Sequence, residues 1–475
     1  MLILLLGYAI TQSVYSDAGP IPVSIESRDV ASCDGLNSQR SIWSIVWSCL
    51  STIFLCTWVA VHPNVHFRPE KRNQSWLEKW LWDPLHEFFT YKVVLFLWAL
   101  LVPEYILAWA VRQYVKAGEI SKEVPEWTRT HGFFMIMGGF HLFRLPADAL
   151  STQFPPSTPF PRPPPNPLFN KVSFKPSESS DFVVPTGLHS RKDEVPVCPL
   201  KLEDFTPDLL KAIAPSETEL KDRGKSDALT KLIVLVQTLW FVVQCIARGV
   251  QHLPLTELEV VTLAYTMLNF FIYVFWWDKP RNVECPIRVY KTSTASHKES
   301  GEEGDEWSDS WWFRWAEPIL RYTIGQQDDY VTISKQRSIP MFWSGRMGEQ
   351  ELGLAGLGPS ILGSAFGAIH CIAWSSEFPS HAELILWRIA CISMISVPFI
   401  AAIICAWWTI DPGEQDWYEY WLVLIGNISA IALMLSAWLY VAARIATLVI
   451  AFTSLRSLAP AAFMTVDWTT FIPHI

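Results

Sequence analysis

"QTLWFVVQCIARGVQHLPLTELEVVTLAYTMLNFF", residues 237–271, sets the reading of this chain. Two apolar runs flank a short polar turn, and each approaches the ~20 residues that cross a bilayer core. In lipid such runs are helical, because only a helix satisfies its own backbone hydrogen bonds. The turn is short, so the two helices are antiparallel neighbours. Yet the stretch carries Gln237, Gln244, Arg248, His252, Glu257, Glu259 and Asn269.

Helical geometry sorts these polar groups into stripes. At about 100° per residue, Gln244 and Arg248 fall within about 20° of Gln237, and Gln251 within about 40°. If the second helix opens at Pro254, a good first residue, then Thr262, Thr266, Asn269 and Tyr273 fall within about 80° on one side of Glu259. Arg248 and Glu259 stand near the turn on opposite helices and are expected to pair. An unpaired charge in hydrocarbon costs at least about 2.5–3.5 kcal/mol on insertion scales. The stripes have two readings. Their members either glue helices together, at about 0.6 kcal/mol per bond on average, or line a cavity. His252 and Glu257, at the turn, are expected to meet only headgroups.

Working outward, composition agrees with a membrane protein. Of 475 residues 50% are hydrophobic and only 17% charged, whereas soluble domains carry about 25% charged residues. The 25 tryptophans favour membrane interfaces. The formal charge of −9 argues against nucleic acid as a partner. Longer apolar stretches cover 43–61, 91–112, 228–248, 255–277, 354–374, 384–409 and 420–443. The expected fold class is therefore all-α, a polytopic membrane helix bundle of about seven spans with two long polar loops.

Six segments organise the chain. Residues 1–18 resemble a secretory signal peptide without a basic n-region, or else an uncleaved anchor. Residues 19–112 hold the N-terminal tail and spans 1–2. Residues 113–226 contain "HGFFMIMGGFHLF" (131–143), too short to span and read as interfacial or re-entrant, then "PPSTPFPRPPPNP" (155–167), a stiff polyproline-like spacer. Two short helices follow, one opening at Thr206-Pro207 and one at the capping box Ser216…Glu219. The polar hairpin is 227–277; 278–353 is an acidic loop; 354–475 holds spans 5–7 and an in-plane segment. Arg444 is expected to mark the interface where that segment begins.

Orientation follows the short loops. Arg68, Lys71, Arg72 and Lys79 lie in 62–90, against Arg28 and Arg40 before the first span. Arg444 and Arg456 follow the last span, and "DPGEQDWYE" before it has no Lys or Arg. With seven crossings the N-terminus is outside and the C-terminus cytoplasmic, the protein entering through the secretory pathway. The sequon at Asn73 disagrees, because it lies in the loop placed inside. Cys33, Cys198 and Cys285 lie in polar segments, and a disulfide between two of them leaves the third over.

Other residues carry weaker signals. Pro103 kinks the second span, and Glu104 beside it is either a functional acid, or a carboxyl satisfied by a neighbouring helix or lying at the interface. Gly363 and Gly367 form a GxxxG pattern that implies close helix packing. "HPNVH" (62–66) is a lone HxxxH without further histidine boxes; with no Walker motif, nucleophile elbow or GxGxxG present, no metal and no cofactor is expected. The candidate cavity or ion-pair residues are Glu104, Gln237, Gln244, Arg248, Glu259 and Asn269.

Several phrases together, "IWSIVWSCLSTIFLCTWVAVHPN", "PEYILAWAVRQ", "WTRTHGFFMIMGGF", "QHLPLTELEVVTLAY", "FWWDKP" and "FIPHI", resemble a large group of uncharacterised fungal multi-pass membrane proteins. The resemblance implies a membrane location and a fungal source. It implies no activity and no residue roles.

The expected function is transport or sensing of a small molecule or ion through a polar cavity in the bundle. The alternatives are a membrane-embedded enzyme acting on a lipid or terpenoid, with Glu104 and Glu259 as acids, and a scaffold binding partners through its large loops. The expected partners are the lipid bilayer and a small apolar or amphipathic ligand. Convergence of Glu104, Arg248 and Glu259 on one cavity separates the first two readings from the third.

Overall fold

The computed structural model describes, with brief gaps, residues 39–66, 85–144, 182–183, 195–291 and 333–468. The signal-like start, Cys33, Asn73, the proline-rich run, Thr206-Pro207 and the acidic run at 299–312 lie outside the described residues. Ser41–Ile475 forms one compact unit.

That unit is built from α1 (Ile42–Ala60), α2 (Val94–Leu101), α3 (Pro103–Glu123), α4 (Arg129–Ile136), α5 (Glu217–Arg223), α6 (Ala228–Val250), α7 (Glu257–Phe275), α8 (Glu349–His370), α9 (His381–Trp408) and α10 (Asp416–Thr453). Among the described residues, six helices are long and apolar enough to cross a membrane: α1, α6, α7, α8, α9 and α10. The bent pair α2–α3 makes seven if counted as one span. The fold is the all-α membrane bundle read from the apolar runs.

α7 is its axis. Leu258, Val261, Ala264, Tyr265, Leu268 and Ile272 have no exposed surface, and the helix packs on α1, α3, α8 and α10. A helix covered over most of its circumference belongs to the core of a bundle; only the edge bearing Phe270 and Val274 is exposed. α6 is peripheral by contrast, with Leu232, Val236, Leu239, Ile246 and Val250 exposed as a lipid-facing edge.

One end of the bundle carries a small sheet that no periodicity announced. Its strands are β1 (Phe140–Arg144), β2 (Phe182–Val183), β3 (Val195–Pro199) and β4 (Ile287–Lys291), in the order β2-β4-β1-β3. β1 runs parallel to β4 and antiparallel to β3, and β2 is antiparallel to β4. "HGFFMIMGGFHLF" thus supplies most of α4 and then β1, turning at Gly138, whose φ of +86° suits glycine. Val65 N donates to Met137 O at 2.9 Å, which ties the chain leaving α1 to this sheet end. Ser216 caps α5 as expected, with Ser216 N donating to Glu219 Oε2 at 2.9 Å and Glu219 N to Ser216 Oγ at 3.3 Å.

Two expectations change in form. The kink at Pro103 is a full break, with α2 and α3 meeting at 107°. Tyr91, in the π-helical turn Phe88–Val93 ahead of α2, donates to Asn64 O at 3.4 Å. Gln113, on α3, donates to Asn64 Oδ1 at 3.0 Å. Both limbs of the bent pair therefore reach the sheet end. Arg444 marks no interface: α10 continues unbroken through it to Thr453, and its side chain is only 1% exposed. It finds carbonyl acceptors and ring faces inside the bundle, so it has no need to snorkel to water.

Candidate functional site

The break has a local cause. Val102 adopts φ −138° and ψ 65°, which is not helical. Pro103 takes the first position of α3, where its missing N–H is harmless, and Glu104 lies in the first turn, where an acid suits the helix dipole. The C-terminal carbonyls of α2 lose their intrahelical donors in return. Arg444 supplies two: Nη2 donates to Leu100 O and Nε to Leu101 O, each at 3.4 Å. The Tyr265 hydroxyl also donates to Leu100 O.

Arg444 is stacked as well as bonded. Its guanidinium lies 4.0 Å from the Phe366 ring centroid and 4.8 Å from that of Tyr265. Glu104 is its charge neighbour. Neither carboxyl oxygen of Glu104 has a hydrogen-bond partner among the described residues, and the Tyr440 hydroxyl stands next to the carboxyl without closing a bond. Room for Glu104 comes from α8, where a Cβ on Gly363 would stand 2.9 Å from Glu104 Cγ and 3.1 Å from Pro398 Cβ. Gly367, one turn on, lets α8 approach the α9 backbone at Met394–Ile395. The GxxxG pattern therefore packs two helices, as expected, and also holds open the space for a carboxyl. His370 completes this layer; Nδ1 lies 2.9 Å from Phe366 O, and Nε2 has no partner among the described residues.

The hairpin residues go elsewhere. Gln237 Nε2 donates to Thr52 Oγ1 at 3.4 Å, and Asn269 Nδ2 donates to Thr57 Oγ1 at 3.3 Å. Both stripes thus bond to α1, as helix glue does; Gln244, on the first stripe, is half-buried. Arg248 donates to Met464 O at 2.7 Å, Pro254 O at 2.8 Å and Ala462 O at 3.3 Å, so it ties the C-terminal segment to the turn. Glu259 Oε2 accepts from Thr256 N at 2.9 Å and Thr256 Oγ1 at 3.0 Å, while Glu259 N donates to Thr256 Oγ1 at 3.3 Å. That is a capping box. α7 begins at Glu257 rather than Pro254, and "TELE" was the sequence signal for it. Glu257, expected among headgroups, is buried. Glu104, Arg248 and Glu259 thus have separate settings, the first at the α2–α3 break and the others near the hairpin turn.

The residue that sequence reasoning missed is Lys279. It is 2% exposed. Its Nζ donates to His62 O at 2.5 Å, Gln113 Oε1 at 2.7 Å and Asn64 Oδ1 at 3.3 Å. It also lies 4.7 Å from the Trp109 ring centroid and 4.6 Å from that of Trp276. Around it Gln113 Nε2 and Trp109 Nε1 donate to Trp343 O at 2.6 and 2.9 Å, and Trp276 Nε1 donates to Gln113 Oε1 at 3.0 Å. Every oxygen that accepts from Nζ belongs to a neutral amide. Burial pushes the amine well below the ordinary lysine range. In the sequence Lys279 comes just after the apolar stretch 255–277, a position where a cation that reaches the interface is the common case.

Residues 205–296 match DUF8562, a family of unknown function. The match takes in the hairpin, Lys279 and β4. No curated protein and no solved structure matches the chain.

Proposed function

We propose that this protein is a transporter or channel-like protein for a small ion or solute, with its working site at the broken helix. One observation carries the reading: Glu104 is buried at the break beside Arg444 and the Tyr440 hydroxyl, and neither of its oxygens has a full hydrogen bond among the described residues. A buried carboxyl without hydrogen bonds is costly, and intramembrane charge marks ion and proton paths by default. Discontinuous helices whose freed carbonyls and N-termini face a charged group are a recurring device of transporter sites. In this reading Glu104 takes up and releases the proton or ion, and Arg444 holds the broken end of α2. The enzyme alternative loses support, because Glu259 is engaged in capping α7 and shares no partner with Glu104 among the described hydrogen bonds.

The same reading makes α2–α3 a re-entrant hairpin that enters and leaves at the sheet end, so the chain crosses six times. The start of α1 and the C-terminal segment then share one face. Arg68, Lys71, Arg72 and Lys79, in the loop that leaves His66 and returns to Phe88, assign the sheet end to the cytoplasm. The free thiols of Cys198 and Cys285 at that end accord with a reducing compartment. The cytoplasmic C-terminus expected from Arg444 and Arg456 needs an odd number of crossings, and in this reading an outer one takes its place.

The test is ion flux in proteoliposomes containing the full chain, with a pH-sensitive dye inside and an imposed proton, potassium or chloride gradient. Wild type is expected to dissipate one gradient faster than empty liposomes, and Glu104→Gln to remove that flux while the protein remains folded. Flux equal in wild type and Glu104→Gln overturns the site. No flux above empty liposomes with any gradient overturns ion transport.

A further inference from the structure

A second feature lies at the sheet end, away from the break at Val102. A cleft of about 130 Å³ opens between the end of α1, the start of α2 and the chain after α7. Thr57, Trp58 and Val61 supply one wall, and Leu95 and Phe96 the other. Its charged groups are Lys92 and Arg281, and no carboxylate lines it among the described residues. The volume is well below the ~300–1,000 Å³ of pockets that enclose drug-sized ligands, so it suits a compact polar group.

The two cations are placed differently. Arg281 is 9% exposed; Nη2 donates to Trp58 O at 2.9 Å, and Nε has no hydrogen-bond partner among the described residues. A guanidinium that lines a cleft is suited to an oxyanion, because charge-assisted N–H···O bonds to phosphate are the strong ones. Lys92 is half-buried and comes from the π-helical turn Phe88–Val93; such widened turns recur at functional sites. Asn282, also on the lining, has φ +55°, which turns the chain sharply at the mouth.

The surroundings are apolar and lipid-facing. Phe54 on α1 is exposed and packs against the lining residue Phe96, and Leu97, next to Phe96 on α2, is exposed as well. Trp58 stacks on Phe54 at 5.7 Å and packs against Phe88 at 5.8 Å, an aromatic cluster of the kind found at headgroup level. A cationic niche with an apolar wall that continues into the bilayer is complementary to an amphiphile with an anionic head.

We propose that this cleft binds the phosphate of an anionic phospholipid, held by Arg281 and Lys92, with its acyl chains lying along Phe96, Leu97 and Phe54. The bound lipid wedges between α1 and α2 where the broken helix enters the bundle. The site is independent of the transport reading, and its test uses no flux.

The full chain is purified in detergent, incubated with phosphatidic acid or phosphatidylcholine, and analysed by native mass spectrometry. Wild type is expected to retain one phosphatidic acid per chain in preference to phosphatidylcholine. Lys92→Gln is expected to lower that retention about fivefold, the effect of one basic side chain near an anionic headgroup. Asn282→Asp, which adds a negative charge at the mouth in a conformation aspartate accepts, is expected to do the same. Thermal unfolding confirms that both variants are folded, and if one is not, the other decides. Equal retention of the two lipids overturns the proposal, as does unchanged retention in the folded variant. Inorganic phosphate that displaces phosphatidic acid at millimolar concentration assigns the site to free phosphate and overturns the lipid.

Discussion

Gly363 on α8 faces Glu104 on α3 so closely that a Cβ there would stand 2.9 Å from Glu104 Cγ. The glycine is a steric condition for burying the carboxyl. Gly363→Ala is therefore expected to destabilise the folded state by about 1–3 kcal/mol, the usual range for overpacking. Gly358, on the same helix, has open space where a Cβ would stand, with nothing within 4 Å, so Gly358→Ala is expected to be neutral or stabilising by up to about 1 kcal/mol. Urea or SDS unfolding in micelles measures both. Equal effects at the two glycines would remove the steric argument.

Arg444 serves three groups at once: the Leu100 and Leu101 carbonyls and the neighbouring charge of Glu104. Arg444→Met strands all three and is expected to cost about 3–5 kcal/mol, as breaking one side of a buried ionic group does. Glu104→Gln in the same chain is expected to recover part of that loss, because the uncompensated carboxylate is gone. A double-mutant cycle on unfolding free energies gives the coupling, and strict additivity would show that the two side chains do not interact.

At the other end of α7, Thr256 and Glu259 form a capping box. Thr256→Ala is expected to cost about 0.5–2 kcal/mol, the usual loss for a cap. Glu259→Gln keeps an acceptor in place and is expected to change stability by less than Thr256→Ala and to leave ion flux intact. Loss of flux in Glu259→Gln at unchanged stability would restore Glu259 as a functional acid.

Lys279 gives a pH dependence with a definite sign. Burial depresses its folded-state value well below 10.5, while the unfolded chain keeps the ordinary lysine value. Between the two, the unfolded state binds more protons, so this residue makes stability rise with pH, by up to about 1.4 kcal/mol per unit. The rise ends near the unfolded value, and below the folded value the contribution is flat. Unfolding free energy followed from pH 6 to about 10 is expected to climb in wild type relative to Lys279→Met. Parallel curves for the two proteins would show that the amine keeps its charge inside the cage of Trp109 and Trp276.

The proposed topology, with six crossings and a re-entrant α2–α3, puts Asn73 in the cytoplasm with both long polar segments. Asn73 is then expected to carry no glycan, and a tag after residue 475 to be reached by antibody from outside intact cells. A glycan at Asn73, or a tag that reacts only after permeabilisation, reverses the assignment.

Much of this architecture was legible in one dimension. Apolar length decides what crosses a bilayer, because lipid offers the backbone no hydrogen bonds, so the all-α membrane bundle and the antiparallel α6–α7 hairpin could be read from residue order. The Ser216 and Gly363/Gly367 patterns were equally local. Val-Pro-Glu at 102–104 already had the form of a helix start, with proline first and an acid in the first turn; its apolar flanks made it look like a kink instead. Only the tertiary structure decided the partners. Glu104 and Arg444 are 340 positions apart by their numbers, and Lys279 draws its acceptors from three separate residues on two distant segments. The sheet likewise pairs β1 with β4 across more than a hundred residues. A charge in a low-dielectric interior is stabilised by whatever donors and acceptors the fold brings to it, and that assembly depends on packing between helices rather than on spacing along one.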